Sequence, residues 1–399
     1  MKTPLTATAD LPHPRVLHFN SNLGGGGTDD HCVKLVQGLH RAGVPVWIIG
    51  PEEQTFSPVI RQLELPFLPI QKVGWLKSNF IFEAARLIRR HKFQIVHGHH
   101  GRDIWPTILA SRLSGVRPKI VLTRHLAKSP ASWPSRHFML RQCDALIAIS
   151  AFTSRVLREG VYEPDAPAAE RRGRRPVSGD HSKIHVIHGG IDTERFRPLD
   201  ASALRTEWGL QPGDFAFAMV GGYEPPRGKG QREFLLAAAR VHEQLPHARF
   251  LIVGRGSMAD VLKADIARLG LTGKAWLTPY CREMPMAMNA IDCLVHSQVG
   301  TEAFGLVLLE AFACGRPVIA SALDGLPEAF AVGNHGQLVL PDSVDDLAQA
   351  MVKWAKQPAL DERQRAALWE RVARDFSLPA AARRVMELYA SLIKNDRNP

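Results

Sequence analysis

Residues 302–328 read EAFGLVLLEAFACGRPVIASALDGLPE. Gly305 is followed by Leu306, Val307, Leu308 and Leu309, which predicts an apolar, buried helix beginning near Gly305. A short β-rich run over 317–320 comes next. An apolar helix leading into an apolar strand is a unit of a parallel α/β sheet.

The same alternation runs outward in both directions. In the first half, strand candidates fall at 16–20, 46–50, 95–99, 119–123, 145–150 and 183–188. In the second they fall at 216–221, 249–254, 275–279, 293–296, 317–320 and 337–340, with helical patterns such as 30–42, 231–244 and 258–269 between them. A chain of 399 residues is long for one core. The expected architecture is α/β, with two doubly wound parallel-sheet (Rossmann-like) domains facing across a cleft. Ligands are expected at the carboxyl ends of the strands. The boundaries are set at 1–197 and 198–375, where IDTERFRPL leads out of the first domain, and a final helix over 376–399 is expected to close back on that domain.

Composition narrows the class. Hydrophobic residues make up 45% and charged residues 22%, an ordinary globular balance. No run approaches the ~20 apolar residues of a membrane span. The opening MKTPLTATADLPHPR has no signal-peptide core, which points to a cytoplasmic protein. Cys32, Cys143, Cys281, Cys293 and Cys314 show no CxxC spacing and suit reduced thiols better than disulfides or zinc. The net charge is +11, carried by the first half: residues 1–197 hold 28 Lys and Arg against 16 Asp and Glu, and the remainder 22 against 23. Nucleic acid, an acidic acceptor, an anionic membrane face or plain solubility could each use that field. Helix-like 77–93 sets Arg86, Arg89, Arg90 and Lys92 beside Phe80, Phe82, Leu87 and Ile88. Either core packing with a solvated basic edge or docking on anionic lipid fits it. The Pro- and Arg-rich stretch 163–182, with Arg171, Arg172, Arg174 and Arg175, reads as a surface loop that is a solvated insertion or touches phosphate.

Glu302 and Glu310 are eight positions apart, up to ~12 Å along a helix. The carboxyl pair of a retaining hydrolase lies about 5 Å apart, so these two acids do separate jobs. One can bind sugar hydroxyls and the other ribose hydroxyls, while helix-start N–H groups receive phosphate. A solvated face is the alternative, and the apolar character of the helix argues against it. VGGYEPPRGKGQ (220–231) supplies Gly222, Arg227 and Lys229, glycines for close backbone approach and cations for a leaving diphosphate. It lacks Walker spacing. LGGGG (23–27), with Gly25 and Gly26, sits between a strand and a helix that Thr28, Asp29 or Asp30 would cap; it suits phosphate or sugar contact, or is a plain turn. His125 suits a sugar hydroxyl and His97 a structural role; His99 and His100 stay open. The histidines alone are not a metal set.

In order along nearly the whole chain, GGGG, VHGHH, AISAFTSRVL, VIHGGIDTERFRP, GYEPPRGKG, LIVGRGS, TPYCREMP and HSQVGTEAFGLVLLEAFACGRPVIAS resemble the retaining glycosyltransferases of family four, of GT-B fold. The resemblance implies a nucleotide-sugar donor in the second domain and an acceptor in the first. It implies that Glu302 meets the donor sugar and that Phe304, Gly305 and Leu306 offer backbone to sugar and phosphate. Glu310 then holds the ribose, Arg227 and Lys229 the diphosphate, and His125 approaches the sugar, with Gly25, Gly26, Gly222 and Gly254 lining the donor. It further implies no cofactor or metal ion, since cations and a helix dipole replace it. A glycan or lipid-linked acceptor follows, in lipopolysaccharide or other cell-envelope assembly on the inner membrane face, with no nucleic-acid partner. The chain departs from the pattern in placing Gly222 and Tyr223 where an Arg is usual, and in having His188, Gly189 and Gly190 before IDTERF. A sugar phosphorylase or nucleotide-sugar epimerase shares the fold. A non-catalytic basic binding protein is the rival of another class, and the absence of GxGxxG weighs against a nicotinamide dehydrogenase.

Overall fold

The computed structural model describes residues 13–53, 55–70, 78–160, 175–225, 228–279 and 281–394. Two compact units partition the chain. The first comprises residues 1–149, 153–190 and 378–399; the second comprises 150–152 and 191–377.

Unit 1 is built on a seven-stranded, all-parallel sheet. Its strands are β1 (Val16–Phe19), β2 (Val46–Gly50), β3 (Phe67–Pro69), β4 (Ile95–Gly98), β5 (Lys119–Arg124), β6 (Ala145–Ala148) and β7 (Ile184–Val186), in the spatial order β3-β2-β1-β4-β5-β6-β7. The unit 2 sheet has six parallel strands: β8 (Phe215–Val220), β9 (Ala248–Val253), β10 (Ala275–Leu277), β11 (Cys293–His296), β12 (Val318–Ser321) and β13 (Gly336–Val339). Their order is β10-β9-β8-β11-β12-β13. Every residue of β1, β4, β6, β11 and β12 is buried, as both-face coverage by helices requires.

Both sheets are doubly wound. In unit 1 the strand order reverses between β1 and β4, and in unit 2 between β8 and β11. At such a reversal the following loops part in opposite directions and leave a crevice. Among the described residues the sequence pattern placed twelve of thirteen strands to within a few residues; β3, three partly exposed residues at a sheet edge, lies in LPFLPI (65–70), where Pro66 and Pro69 break the strand signal.

The last helix, Leu378–Lys394, belongs to unit 1 and packs on helix Gly27–Arg41. A Cβ at Gly38 would lie 3.0 Å from the Leu378 carbonyl oxygen and 3.2 Å from Ala382 Cβ, so glycine is what lets the two backbones approach. Ala382, Val385, Leu388 and Tyr389 thereby join a core with Val33, Val36, Ile48 and Val121. Among the described residues no helix is long and apolar enough to cross a membrane.

Candidate functional site

Polar side chains gather at both strand-order reversals. In unit 2, β11 delivers His296 at its carboxyl end, and the loop beyond it delivers Glu302. The loop after β8 delivers Lys229. Lys229 Nζ donates to Glu302 Oε2 at 3.0 Å, and His296 Nε2 lies 3.7 Å from the same oxygen. Burial opposes ionisation of Glu302, but His296 and the Lys229 ammonium outweigh it and hold the carboxyl at about 2. His296 is fully buried, its Nε2 facing Glu302 at 3.7 Å, and burial pushes its pKa down against the pull of that carboxylate. Lys229 is 39% exposed and has two further protons to donate.

Backbone geometry fixes this cluster. Gly230 caps helix Gln231–Gln244 at φ 93°, and a Cβ there would sit 1.8 Å from the Ser297 carbonyl oxygen. Only glycine lets the Lys229 loop reach the end of β11. Gly305, at φ 93°, begins helix Leu306–Ala313 without a side-chain cap. The first N–H groups of that helix therefore point outward with no side chain spent on them, where the helix dipole favours an anion. Phe304 is buried and its ring stacks on Phe376 at 5.8 Å. Glu310, in the second turn, is partly exposed. Gly254 lies at the end of β9, packed against the Gly221 carbonyl; a Cβ would meet that oxygen at 2.1 Å. Beside Gly222 a Cβ would find its nearest atom at 3.6 Å. Arg227 lies outside the described residues, as do Arg171, Arg172 and Arg174 of the Arg-rich stretch.

In unit 1, Asp29 is the hub. It does not cap the helix, and neither Thr28 nor Asp30 does: Gly26 is the N-cap, without a side-chain bond. The buried Asp29 carboxylate instead accepts from Asn20 Nδ2 at 2.9 Å, Asn22 Nδ2 at 2.9 Å and Gly25 N at 3.0 Å, and pairs with His100 Nε2 at 2.6 Å. Burial works against its charge; these bonds prevail and bring it to about 2. The carboxylate thus pins the glycine loop, in which Gly25 (φ 133°) and Gly26 (φ 102°) leave open backbone.

Behind this lies a chain of imidazoles. His99 Nε2 bonds His18 Nδ1 at 2.9 Å. His97 bonds Tyr389 Oη at 2.6 Å through Nδ1 and Thr123 Oγ1 at 2.6 Å through Nε2. The ligating nitrogens of His18, His97 and His99 lie within 4.8 Å of one another, the spacing of a candidate metal site. Hydrogen bonds among these nitrogens account for their placement. His125 stands edge-to-face with His31 at 4.6 Å, and its Nε2 is buried without a partner. A neutral, unpaired ring nitrogen of this kind suits a sugar hydroxyl. Burial lowers His18 to about 3 and His31 to about 4, and His97, His99 and His125 fall well below their ordinary value.

Sequence reasoning missed His296, Asn20, and Asp29 in its true role. His296 had a signal, as the last residue of a predicted strand at the sheet reversal. Asp29 had none, because its partner His100 is 71 residues away.

Residues 25–166 match the family described as Glycosyltransferase Family 4, and residues 214–357 match that described as Glycosyl transferases group 1. The first match falls in unit 1 but for residues 150–152, the second falls in unit 2, and the fold is that of GT-B glycosyltransferases. It is similar to a D-inositol 3-phosphate glycosyltransferase of Mycobacteroides abscessus, 37% identical over 180 residues that span 44% of this chain and 39% of the relative. The match thus spans about two fifths of that relative's length. The similarity to the enzyme of that name from Rhodococcus erythropolis is longer, 28% over 80% of this chain and 73% of the relative. Among solved structures, Anabaena HepE in complex with UDP and glucose superposes with a TM-score of 0.74 at 19% identity. That match covers 95% of this chain and all of the other.

The buried imidazoles predict an acid-sensitive fold. Folded-state values lie below the unfolded 6.5, so the unfolded chain takes up protons first as pH falls. Stability is fully present above pH 6.5 and drains from there to about 4 for His31 and about 3 for His18, by up to about 1.4 kcal/mol per pH unit for each neutral ring. Urea unfolding at pH 7.5, 6 and 5 measures it; equal midpoints at all three would contradict the neutral cluster. Asp29 and Glu302, lowered from 3.8 and 4.5 to about 2, add their own loss only below about pH 5, so the readings at pH 7.5 and 6 isolate the imidazoles.

Proposed function

We propose that this protein is a retaining glycosyltransferase that moves a sugar from a nucleotide-sugar donor to an acceptor hydroxyl. The Lys229–Glu302–His296 cluster at the β8/β11 reversal carries the reading, because it sets a cation and an ionised carboxylate beside an uncapped helix start. The amides of Leu306 and Val307 take phosphate oxygens, with Lys229 and Arg227 neutralising the diphosphate. The Glu302 carboxylate faces the donor sugar, where positive charge builds as the glycosidic bond breaks. Glu310 holds the ribose, and His125 and the Gly25–Gly26 backbone meet the sugar. The acceptor hydroxyl attacks from the face the nucleotide leaves, and the departing phosphate oxygen takes its proton. No metal ion or cofactor enters this scheme. The UDP bound by the Anabaena neighbour favours a uridine donor.

The acceptor is proposed to be a glycan or lipid-linked sugar of the cell envelope, lipopolysaccharide included, met at the inner membrane face. Helix Ser78–His91 supports this. Phe80, Ala84, Ala85 and Ile88 bury one side, while Phe82 is 55% exposed among Arg86, Arg89 and Arg90. Arg89 Nε donates to the Ser114 carbonyl at 2.8 Å, which sets beside it helix Ile104–Leu113 with exposed Leu109, Arg112 and Leu113. Apolar side chains interleaved with arginines fit an anionic lipid surface. The phosphate in the acceptor named for the mycobacterial relative favours a second reading, a soluble phosphorylated polyol.

Thermal unfolding with UDP, GDP and ADP should show stabilisation by UDP, unchanged by EDTA; no response to any of the three in folded protein would reject the donor site. Lys229→Ala should lower turnover by about 10²–10³-fold, and the anomeric NMR signal of the product should match the donor's configuration. Wild-type turnover or an inverted product would end the respective assignment.

Vesicles of anionic lipid should co-sediment the protein at low salt and less at moderate salt, while neutral vesicles leave it in solution. Phe82→Ser with Arg86→Glu should abolish pelleting. No pelleting at low salt, together with transfer to a phosphorylated polyol, would favour the soluble acceptor.

A further inference from the structure

At the opposite end of the unit 2 sheet lies an open cavity of about 820 Å³. Asp292 and Arg316, which line it, stand immediately before β11 and β12, whereas His296 and Glu302 follow β11. A four-residue strand at about 3.3 Å per residue puts about 13 Å between the two places. This cavity is not the donor site.

Its charges do not balance. Arg205 is satisfied: it donates to Asp292 Oδ2 at 2.9 Å, to the Ala290 carbonyl at 2.8 Å and to the Asp214 carbonyl at 2.8 Å. Arg316 donates through one Nη to the Asn289 carbonyl at 2.6 Å, and its buried Nε has no partner. Arg365, on helix Glu362–Phe376, has no hydrogen bond or ion pair from its guanidinium among the described residues, and its Nε is also buried. Gly315 explains how the two come together. At φ 71° it has no side chain, and the Arg365 stem lies over it, within 2.9 Å of where a Cβ would be. The Arg365 head is thereby held near Arg316, close enough for its charge to help lower Arg316 to about 10, after burial, the larger cause.

Among the described residues neither guanidinium is ion-paired; the Asp292 charge offsets only part of the repulsion at Arg316, and a dianion relieves the rest while supplying acceptors. Of the cavity's acids, Asp292 is already spent on Arg205, and Asp200 and Glu362 make no ion pair with either arginine. Trp369 forms part of the wall, its Nε1 engaged by the Thr193 carbonyl at 3.0 Å, so it presents ring rather than donor. Leu199 and Ala366 add apolar surface.

We propose that this cavity binds a phosphate monoester, its phosphate between Arg316 and Arg365 and its carbon skeleton against Trp369. A monoester carries about −1.5 to −2 charges at neutral pH, matching the two free cations. The planar guanidinium fork suits phosphate oxygens better than an ammonium does. This proposal stands apart from the glycosyltransferase reading.

Calorimetric titration of the full chain with glycerol 3-phosphate, in saturating UDP, tests it. Saturable binding is expected, present also in Lys229→Ala and weaker for inorganic phosphate, which lacks the carbon skeleton. Arg365→Gln, a half-buried helix position, should weaken it about tenfold or more, equal to about 1.4 kcal/mol, with circular dichroism confirming the fold. Trp369→Leu should narrow the gap between ester and inorganic phosphate. Absence of saturable binding, loss of binding in UDP or in Lys229→Ala, or an unchanged affinity in folded Arg365→Gln would each overturn the site. Equal affinity for inorganic phosphate and the ester would overturn the assignment of an ester.

Discussion

Parallel strands cannot be joined by a tight turn, so each pair here is closed by a crossover that carries a helix over one face of the sheet. To cover both faces the chain must start in the middle of the sheet, wind outward, then return and wind the other way. That return separates β1 from β4 and β8 from β11 in connectivity while leaving them paired in space. The loops beyond those pairs cannot cross the gap, so it remains open. The Lys229–Glu302–His296 cluster and the Asp29–His100 pair stand at these two gaps.

Polar residues in a gap walled by apolar strands must find partners, and the two units meet that demand alike. In unit 1 the buried carboxylate is Asp29, held by two asparagines, a glycine N–H and His100; in unit 2 it is Glu302, held by Lys229 beside His296. Each carboxylate fixes a glycine-rich loop to the strand across the reversal. The difference lies in the partners. Asp29 is fully buried and held on four sides, by two asparagine amides, a backbone N–H and an imidazole, which suits a fixed strut. Glu302 depends on a partly exposed ammonium on a long stem, which can exchange one anion for another without leaving its place.

How much of this the sequence disclosed follows from how far apart the interacting residues lie. The alternation of apolar runs is a local property, and it revealed nearly all the strands. The short edge strand β3 escaped because Pro66 and Pro69 punctuate its apolar run, and proline argues against a strand except at a sheet edge. The EAFG helix start and the GKG loop were legible because glycine announces backbone that no other residue tolerates, as at Gly230 and Gly305. The histidine chain was opaque: His97 meets Tyr389 across 292 residues, and nothing in HGHH tells which ring faces which partner. Asp29 looked like a helix cap because the residue type fits one, and tertiary bonds overrode the local preference.

Charge shows the same limit of summation. The second half of the sequence, with 22 basic and 23 acidic residues, is the nearly neutral half, yet it holds Arg316 and Arg365 close together, the nearby Asp292 being ion-paired to Arg205. The first half carries the excess, and its groove lined by Arg112, Arg117, Lys119, Arg141 and Lys183 is already partly quenched. Lys183 is spent on the Leu140 and Cys143 carbonyls, and Lys119 lies against Asp144. A net charge sets the long-range field that draws an anion toward a surface. Whether the anion stays depends on the few cations that the fold has left without a carboxylate, and those are set by packing, as when Gly315 makes room for the stem of Arg365.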